Sequence, residues 1–383
     1  MENFKFSNPV KIIFGKGMIK ELSKEISINK KVMILYGGGS IKSNGVYEQV
    51  MSALQNHQVT EFGGIEPNPH YETCMEAVNK IKQDKVDFLL AVGGGSVIDA
   101  TKFIVAAACC EYDPWKLMTG EIPIRDAMPF GTVLTLPATG SEMNKNFVVT
   151  KASTKEKLAC SSPFVFPKFS VLDPETTYSL PAKQTANGIA DAFVHVLEQY
   201  LTAHQEAFIQ DYFAESIIKV LLEKGVQVFQ SPSDYDIRAN LMWASTWALN
   251  EWIAQGVSED WATHMIGHEL TAFYGIDHGQ TLAIVLPGVM HLLRTQKGEK
   301  ILRLGKNVFG INSGTIDERI DMTIHEIEQF FRSIGIKTKL SEYGLGIDAI
   351  DPIVERFKER KWQLGEAGNI DYEMIEKILR SRI

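Results

Sequence analysis

The chain has 383 residues, 45% of them hydrophobic and 22% charged, and this length predicts two domains that each bury a core. The net charge of −8 argues against a nucleic-acid or anionic-membrane partner, because both attract clustered Lys and Arg. The sequence has neither a long apolar run that could span a membrane nor the pattern of a signal peptide. Its four cysteines form no CxxC pair, which suits reduced thiols. We therefore expect a soluble cytoplasmic enzyme.

The first 180 or so residues alternate apolar strand patterns with helical patterns. The strands are predicted at residues 31–36, 88–92, 132–136 and 169–172. Helices are predicted from about residue 45, around Met75, Val78 and Ile81, and over residues 97–108. Strands that alternate with helices predict a parallel sheet covered by helices on both faces.

From Pro181 onward the pattern changes, because no convincing strand follows Leu172. One apolar stripe at helical spacing includes Ile320 and Ile327, with Asp317 as a reasonable start of that helix. We therefore predict an α/β nucleotide-binding domain at residues 1–179, with a Rossmann-like parallel sheet and non-standard glycine loops. An all-helical, metal-binding domain is predicted at residues 180–383.

Two of the predicted strands end directly in the sequence Gly-Gly-Gly-Ser, at residues 37–40 and 93–96. Glycine lets a backbone approach a ligand closely, and the N–H groups at a following helix start can bind phosphate. Neither loop matches G-x-G-x-x-G, and tight turns need glycine without any ligand. Two such loops at one sheet edge nevertheless favour a nucleotide site. The second loop is the better pyrophosphate site, with Ser96 as a possible helix N-cap.

The first loop also indicates which nucleotide binds. An NAD site usually places an acidic residue after a strand to hold the ribose 2′-hydroxyl, and that carboxylate repels a 2′-phosphate. Here Gly37, Gly38, Gly39 and Ser40 are followed by Ile-Lys, without an acid. If this loop meets the adenosine ribose, NADP is preferred over NAD.

A third polar turn runs over residues 135–144 and includes Thr135, Thr139 and Asn144. Thr, Gly, Ser and Asn favour turns for purely local reasons. The number of hydroxyl groups in this turn also makes it a candidate to contact the nicotinamide or a phosphate of the cofactor.

Two pairs of residues at a spacing of four mark a candidate metal site. Asp191 and His195 form one pair and His264 and His268 the other, and this spacing puts both members on one face of a helix. His278 follows ten residues after the second pair. Each histidine alone is more typical of a hydrogen-bonded or capping residue, but the set is better explained by three imidazoles and one carboxylate around a metal. Such ligands suit Fe(II), Zn(II), Ni(II) or Mn(II) equally.

A metal with an open coordination position polarises a carbonyl group or lowers the pKa of an alcohol. Beside a nicotinamide, that chemistry predicts hydride transfer at a carbinol carbon.

Four motifs together resemble the iron-containing (group III) alcohol dehydrogenase family, nearly from end to end. They are Phe-Gly-Lys-Gly at residues 14–17, Gly-Gly-Gly-Ser-Val-Ile-Asp at 93–99, Thr-Gly-Ser-Glu at 139–142, and the set Asp191, His195, His264 and His278. Residues 36–42 and 268–279 look most like the branch of butanol dehydrogenases and NADPH-dependent aldehyde reductases. The resemblance implies an architecture like that of dehydroquinate synthase and a homodimer.

The resemblance also implies roles for individual residues. The metal ligands would be Asp191, His195, His264 and His278, with iron as the default metal and zinc as the alternative. His268 would lie close to the substrate and could pass a proton to the nascent alkoxide. The residues implied to contact NADP(H) are Gly37, Gly38, Gly39, Ser40, Asn68, Gly94, Gly95, Ser96, Asp99, Thr135, Thr139 and Lys157. Glu269 stands where many members have a small residue.

The sequence therefore predicts a metal-dependent NADP(H) alcohol dehydrogenase or aldehyde reductase for a primary alcohol such as butanol, with the cofactor in a cleft between the domains. One alternative is a lyase or cyclase of the dehydroquinate-synthase type, but few Arg or Lys residues lie near the histidines to bind its polyanionic substrate. The other alternative is a non-catalytic protein that binds a nucleotide or metal.

Overall fold

The computed structural model describes residues 1–203 and 206–383. Within them the strands are β1 (Lys11–Phe14), β2 (Lys31–Tyr36), β3 (Gln58–Phe62), β4 (Phe88–Gly94), β5 (Phe130–Leu136), β6 (Asn146–Lys151), β7 (Glu156–Ser161) and β8 (Phe169–Leu172). The α-helices are α1 (Leu22–Glu25), α2 (Val46–Ala53), α3 (Tyr71–Asp84), α4 (Gly95–Ala108), α5 (Trp115–Met118), α6 (Ala182–Tyr200), α7 (Phe208–Gln230), α8 (Tyr235–Ala248), α9 (Ala262–Tyr274), α10 (His278–Leu292), α11 (Arg294–Val308), α12 (Ile316–Ser333), α13 (Asp351–Arg360) and α14 (Tyr372–Arg380).

Six strands form one sheet in the order β3-β2-β4-β5-β8-β1, and every pairing in it is parallel. The four strands predicted from the sequence are all present, and the predicted α/β sheet followed by helices is confirmed. Strands β1 and β3 and the antiparallel hairpin β6–β7 were not predicted. Strand β1 has only four residues and pairs with β8, which lies far along the chain, so no local pattern identifies it.

The order of the strands places both glycine loops at one point of the sheet. From β2 the chain moves to β3 on one side, and then returns to add β4 and β5 on the other side. Ligands of open α/β sheets bind at such a switch point, outside the carboxyl ends of the strands. Residues 37–40 follow β2, and residues 93–96 form the end of β4 and the start of α4; β2 and β4 are the two strands that flank this point.

The sheet buries side chains on both faces, as successive residues of a strand point to opposite sides. Val32 and Ile34 pack into one cluster, together with residues of α1 and α2. Met33 and Leu35 pack into the other, which includes residues of α3 and α4. The almost continuous apolar runs of these strands are therefore explained by burial on both faces.

The chain forms two compact units. One contains residues 7–180 and 232–246, and the other contains residues 1–6, 181–231 and 247–383. All eight strands of the described residues lie in the first unit. The division into domains at residues 179 and 180 stays a prediction.

The second unit is built on helices whose apolar faces pack together. Its core includes Ile266 of α9, Val285 of α10, Ile353 of α13 and Ile378 of α14. Helix α12 begins one residue before the predicted Asp317, because Thr315 caps it: the Thr315 hydroxyl accepts from the backbone N–H of Glu318 and the Glu318 carboxylate accepts from that of Thr315. Among the described residues, no helix is both long and apolar enough to cross a membrane.

Candidate functional site

The predicted metal ligands come from three helices of the second unit. Asp191 and His195 lie one turn apart on α6, and both are only 4% exposed. His264 lies in the first turn of α9 and is 6% exposed, while His278 is the first residue of α10. A buried carboxylate next to buried imidazoles needs compensating interactions, so this cluster is not an ordinary piece of apolar core.

The three imidazoles converge on one carboxylate oxygen. The Nε2 atoms of His195, His264 and His278 lie 3.6, 3.7 and 3.5 Å from Oδ1 of Asp191. These distances are too long for hydrogen bonds. Ligand atoms that share one ion in a tetrahedral site lie roughly 3.4 Å apart when the metal–ligand bonds are about 2.1 Å. Asp191, His195 and His264 each offer a ligand atom within 4.8 Å of the others, a spacing that fits one cation. His278 lies outside this group of three, although its Nε2 is 3.5 Å from Oδ1 of Asp191.

Unsatisfied polar atoms support the same fit. Oδ1 of Asp191 and Nε2 of His264 are buried, and neither makes a hydrogen bond within the part of the chain that the structure describes. Buried polar atoms are normally paired, and a divalent cation would satisfy both. Three nitrogens and one carboxylate oxygen form a donor set that suits iron or zinc. The assignment of the four residues as ligands stays a prediction that this geometry supports.

Contacts at the start of α10 bring His278 close to Asp191. A β-carbon on Gly279 would lie 2.4 Å from the carbonyl oxygen of Asn187, so only glycine allows this approach to α6. The amide of Asn187 donates to Oδ2 of Asp277, 2.8 Å away, and the Lys183 ammonium lies 2.9 Å from the same oxygen. Helix α6 therefore holds the residue that precedes His278 as well as carrying two of the predicted ligands.

Opposing effects set the pKa values in the cluster. Burial raises the pKa of Asp191, but the positive charges of His195 and the other histidines outweigh it and hold that pKa below its ordinary value. Burial lowers the pKa of His264, but the carboxylates of Glu198 and Asp191 outweigh it and raise that pKa to about 9. The cluster therefore favours an anionic Asp191.

Glu198 is a residue of this cluster that the sequence analysis missed. It is 3% exposed on α6, and its Oε2 is hydrogen bonded to Nδ1 of His264. Its Oε1 accepts from the backbone N–H of Thr263, at 2.6 Å. Asp191, His195 and Glu198 follow a 0, 4, 7 spacing, which is one helix face, and this pattern could have identified Glu198. A lone glutamate on a helix is usually solvent-exposed, so the sequence alone did not mark Glu198 as part of the site.

His268 lies at the edge of the cluster. Its ring centroid is 5.1 Å from that of His278 and 6.3 Å from that of His264, and the residue is half-buried. This position is compatible with the predicted role next to a substrate, which stays a prediction.

Glu269, which the resemblance marks as a departure, has a structural role in this protein. It is 6% exposed, and its two carboxylate oxygens accept from Arg356 and Arg360 of α13, at 2.6 and 3.0 Å. The charge of Glu269 is thus paired inside the second unit, and these ion pairs connect α9 to α13.

In the first unit, the second glycine loop leads directly into α4. The helix begins at Gly95 and its N-cap is Gly94, so the prediction of Ser96 as N-cap was wrong, and Ser96 lies in the first helical turn. A β-carbon on Gly94 would lie 2.9 Å from Cβ of Leu136, and one on Gly95 would lie 2.5 Å from Oγ1 of Thr139. The packing of α4 against the end of β5 therefore requires both glycines, whether or not a ligand binds.

Asp99 and Asn144 order the polar turn after β5. The Asp99 carboxylate accepts from the hydroxyl of Ser141 at 2.6 Å and from the backbone N–H of Val148 at 3.0 Å, and burial raises its pKa. Oδ1 of Asn144 accepts from the buried ammonium of Lys102, at 2.9 Å. These contacts show both residues positioning the turn, and direct contact with a cofactor stays a prediction for each.

Two further residues predicted to contact the cofactor are linked to each other. The ammonium of Lys157 donates to Oδ1 of Asn68, at 2.8 Å, and Asn68 has a left-handed backbone with φ 56°. Thr135 is half-buried near the carboxyl end of β5. The structure thus brings Asn68 and Lys157 together at one place in the first unit.

The first glycine loop itself carries no acid, as expected, but an acidic residue of the neighbouring strand lies close to it. Glu61, on β3, accepts from the ammonium of Lys42 at 2.7 Å and from the hydroxyls of Tyr36 and Tyr47 at 2.9 and 3.0 Å. The hydrogen bond from Lys42 is the main cause that lowers the pKa of Glu61. The sequence analysis missed Glu61 because it lies within the neighbouring strand β3 and not in the glycine loop. Its charge is paired with that of Lys42.

Most of the chain matches one protein family. Residues 9–174 match the profile of the iron-containing alcohol dehydrogenases, and residues 185–383 match that of the C-terminal part of the Fe-containing alcohol dehydrogenase family. The chain therefore belongs to the iron-containing alcohol dehydrogenase family, and the resemblance inferred from its motifs is confirmed.

Individual relatives are similar over nearly their full length. The chain is 50% identical over 382 residues to the NADPH-dependent aldehyde reductase YqhD of Escherichia coli (strain K12), with 99% of each chain covered. It is 38% identical to the NADH-dependent butanol dehydrogenase A of Clostridium acetobutylicum, with 92% of each covered. The crystal structure of YqhD from E. coli K-12 matches with a TM-score of 0.98 at 49% identity, covering 100% of this chain and 99% of the other.

Proposed function

We propose that this protein is a metal-dependent NADP(H) alcohol dehydrogenase that reduces aldehydes such as butanal to primary alcohols. The observation that carries the proposal is the convergence of three imidazole Nε2 atoms at 3.5 to 3.7 Å from Oδ1 of Asp191. The 50% identity to an NADPH-dependent aldehyde reductase favours this function over a lyase or a non-catalytic binding protein.

Asp191, His195, His264 and His278 would hold the divalent metal, for which iron is the default and zinc the alternative. When bound, the metal supplies Lewis-acid stabilisation of the charge that develops on the carbonyl oxygen, and the reduced nicotinamide supplies the hydride. The four side chains would fix the place of that oxygen, because the helices that carry them, α6, α9 and α10, belong to one unit in which α10 packs against both α6 and α9.

His268 would supply the proton that the product oxygen takes up as the alcohol forms. An imidazole has a pKa close to neutral, so it can both donate a proton and recover one from solvent. The half-buried position of His268 beside His278 supports this role, since the ring is near the proposed centre but remains accessible.

The glycine loops and the polar turn would bind the cofactor. The loop at residues 93–96 and the start of α4 would bind the pyrophosphate through backbone N–H groups, with Thr135, Thr139 and the Asn68–Lys157 pair as further contacts. The loop at residues 37–40 would meet the adenosine ribose. NADPH is preferred in this proposal, because Lys42 neutralises Glu61 beside that loop. One relative is named as NADPH-dependent and another as NADH-dependent, so the cofactor preference of this protein needs to be measured.

The central test is oxidation of NADPH in the presence of butanal, followed by absorbance, with NADH in parallel. We expect activity with NADPH that a chelator and His264→Ala both abolish. Undiminished activity in His264→Ala would contradict the metal assignment. Conversion of a substrate without net cofactor turnover would favour the lyase, and cofactor binding without turnover of any aldehyde or alcohol would favour the binding protein.

The proposal includes a homodimer, which the family resemblance implies, a cytoplasmic location, and the domain division at residues 179 and 180. Light scattering on a size-exclusion column gives the mass in solution, and elemental analysis of freshly purified protein distinguishes iron from zinc. A monomeric mass would contradict the dimer.

A further inference from the structure

We propose that Glu198 is a positioning residue of the metal centre, one that orients His264 and fixes which of its ring nitrogens faces the metal. The inference rests on the proposed metal site. Glu198 lies on α6, one turn after His195, and is 3% exposed. Its carboxylate is hydrogen bonded to Nδ1 of His264, so the other ring nitrogen, Nε2, is the one that lies 3.7 Å from Oδ1 of Asp191.

Glu198 also fixes the helix that carries His264. Its Oε1 accepts from the backbone N–H of Thr263 at 2.6 Å and lies 3.4 Å from that of His264. These groups belong to the first turn of α9, where N–H groups have no partner within the helix. The backbone carbonyl of Glu198 accepts from the N–H of Asp260, at 3.0 Å. One side chain of α6 thus fixes both the imidazole and the beginning of α9.

A second carboxylate holds the same helix start. Oδ1 of Asp260 accepts from the N–H of Ala262 at 3.0 Å, and Oδ2 accepts from the buried ammonium of Lys297 at 2.8 Å. Since Asp260 already anchors the start of α9 to α11, capping alone does not explain why Glu198 reaches the imidazole as well. The contact of Glu198 with Nδ1 of His264 is the one that would orient this imidazole toward the metal.

Only a carboxylate accepts hydrogen bonds at both positions. A glutamine offers one oxygen acceptor and one NH₂ donor. If its oxygen faced Thr263, its NH₂ group would face Nδ1 of His264, and Nε2 would then carry the ring proton and be unable to bind a metal. If its oxygen faced Nδ1, its NH₂ group would oppose the N–H of Thr263. Glu198→Gln therefore disturbs the centre while changing the side-chain volume very little.

The first experiment measures the dissociation constant of Zn²⁺ and of Fe²⁺ by competition with a chelator, without substrate or cofactor. We expect Glu198→Gln to bind each metal about 10- to 100-fold more weakly than wild type, the range typical of residues that orient a metal-bound histidine. Glu215→Gln is the matched control, because Glu215 is a 5% exposed glutamate of the same unit that contacts Tyr200, Arg303 and Asn307 instead of a histidine. Equal loss of metal affinity in both variants would overturn the proposal, as would wild-type affinity in Glu198→Gln.

A second measurement needs no variant and so does not depend on whether Glu198→Gln folds. In zinc-loaded wild type labelled with ¹⁵N-histidine, long-range proton–nitrogen correlations should show the His264 ring with its proton on Nδ1. A proton on Nε2 would overturn the proposal. A wild-type protein that binds neither metal would refute the proposed function itself, whereas tight binding that Glu198→Gln does not weaken would refute this inference alone.

Discussion

A β-carbon built on Gly95 would lie 2.5 Å from Oγ1 of Thr139, so the Thr139 side chain occupies the space that any larger residue at position 95 would need. The first residue of α4 and the turn after β5 are thereby packed against each other at the switch point of the sheet. Glycines such as Gly95 are therefore required by packing, whereas a glycine with open space around it can be required by a ligand.

Gly95→Ala should destabilise the protein by about 1–3 kcal/mol, the usual cost of overpacking, because Thr139 must move. Gly38→Ala should not, since no atom lies within 4 Å of a β-carbon at position 38. If the loop at residues 37–40 approaches the cofactor, Gly38→Ala still weakens NADPH binding. Denaturant unfolding and NADPH fluorescence titration measure the two effects. Unchanged NADPH affinity in Gly38→Ala would count against cofactor binding at this loop.

Lys42→Met should weaken NADPH binding about tenfold, the effect of losing one charge-assisted hydrogen bond. It should leave NADH binding nearly unchanged, because NADH lacks the 2′-phosphate. Glu61→Gln changes the partner of Lys42. It removes the negative charge that pairs with Lys42, so we expect NADPH affinity to be retained or improved. The measurement is the ratio of the two dissociation constants. An equal loss for both cofactors in Lys42→Met would show that Lys42 does not discriminate between them.

His268→Asn should lower kcat for aldehyde reduction by about 100-fold or more, the usual contribution of a general acid, with the metal content unchanged. The pH dependence of kcat should change as well, because the titrating imidazole is gone. His325→Asn, on the exposed surface of α12, is the control and should behave like wild type. Loss of bound metal in His268→Asn would instead assign His268 to the ligand set.

Stability should depend on pH through Glu142. Burial raises the pKa of Glu142 above its ordinary 4.5, and Oε1 accepts a hydrogen bond from Thr246 while Oε2 has no hydrogen-bond partner among the described residues. A raised carboxyl pKa means that the folded state favours the protonated form, so this contribution to stability is present at low pH and is lost as pH rises above 4.5.

Glu142→Gln does not titrate, so its melting temperature relative to wild type should be higher at pH 8 than at pH 5. The shift should amount to a few degrees, since about 1 kcal/mol changes the melting temperature of a domain of this size by ~2–4 °C. Differential scanning calorimetry at the two pH values measures it. The same difference at both pH values would show that Glu142 is not the group responsible.

Local spacing in the sequence determined much of the site. The 191/195 and 264/268 pairs are four residues apart, which fixes one helix face wherever the helices lie, and the glycine runs directly follow apolar strands. Helix and strand periodicity predicted four of the strands, and it put His195 on one helix face with Asp191 and His264 on one face with His268. The choice of His278 over His268 as a predicted ligand came from the family resemblance.

The tertiary structure decided the contacts between residues that are distant in the chain. Glu198 reaches His264 across 66 residues, and Glu61 pairs with Lys42 across 19 residues. The spacing of Glu198 from Asp191 and His195 shows that the three share a helix face, but the hydrogen-bond partners of both glutamates depend on how helices and strands pack. The start of α4 also depends on packing, and its N-cap is Gly94 instead of Ser96. Strand β1 is defined by its pairing with β8, which is distant in the chain.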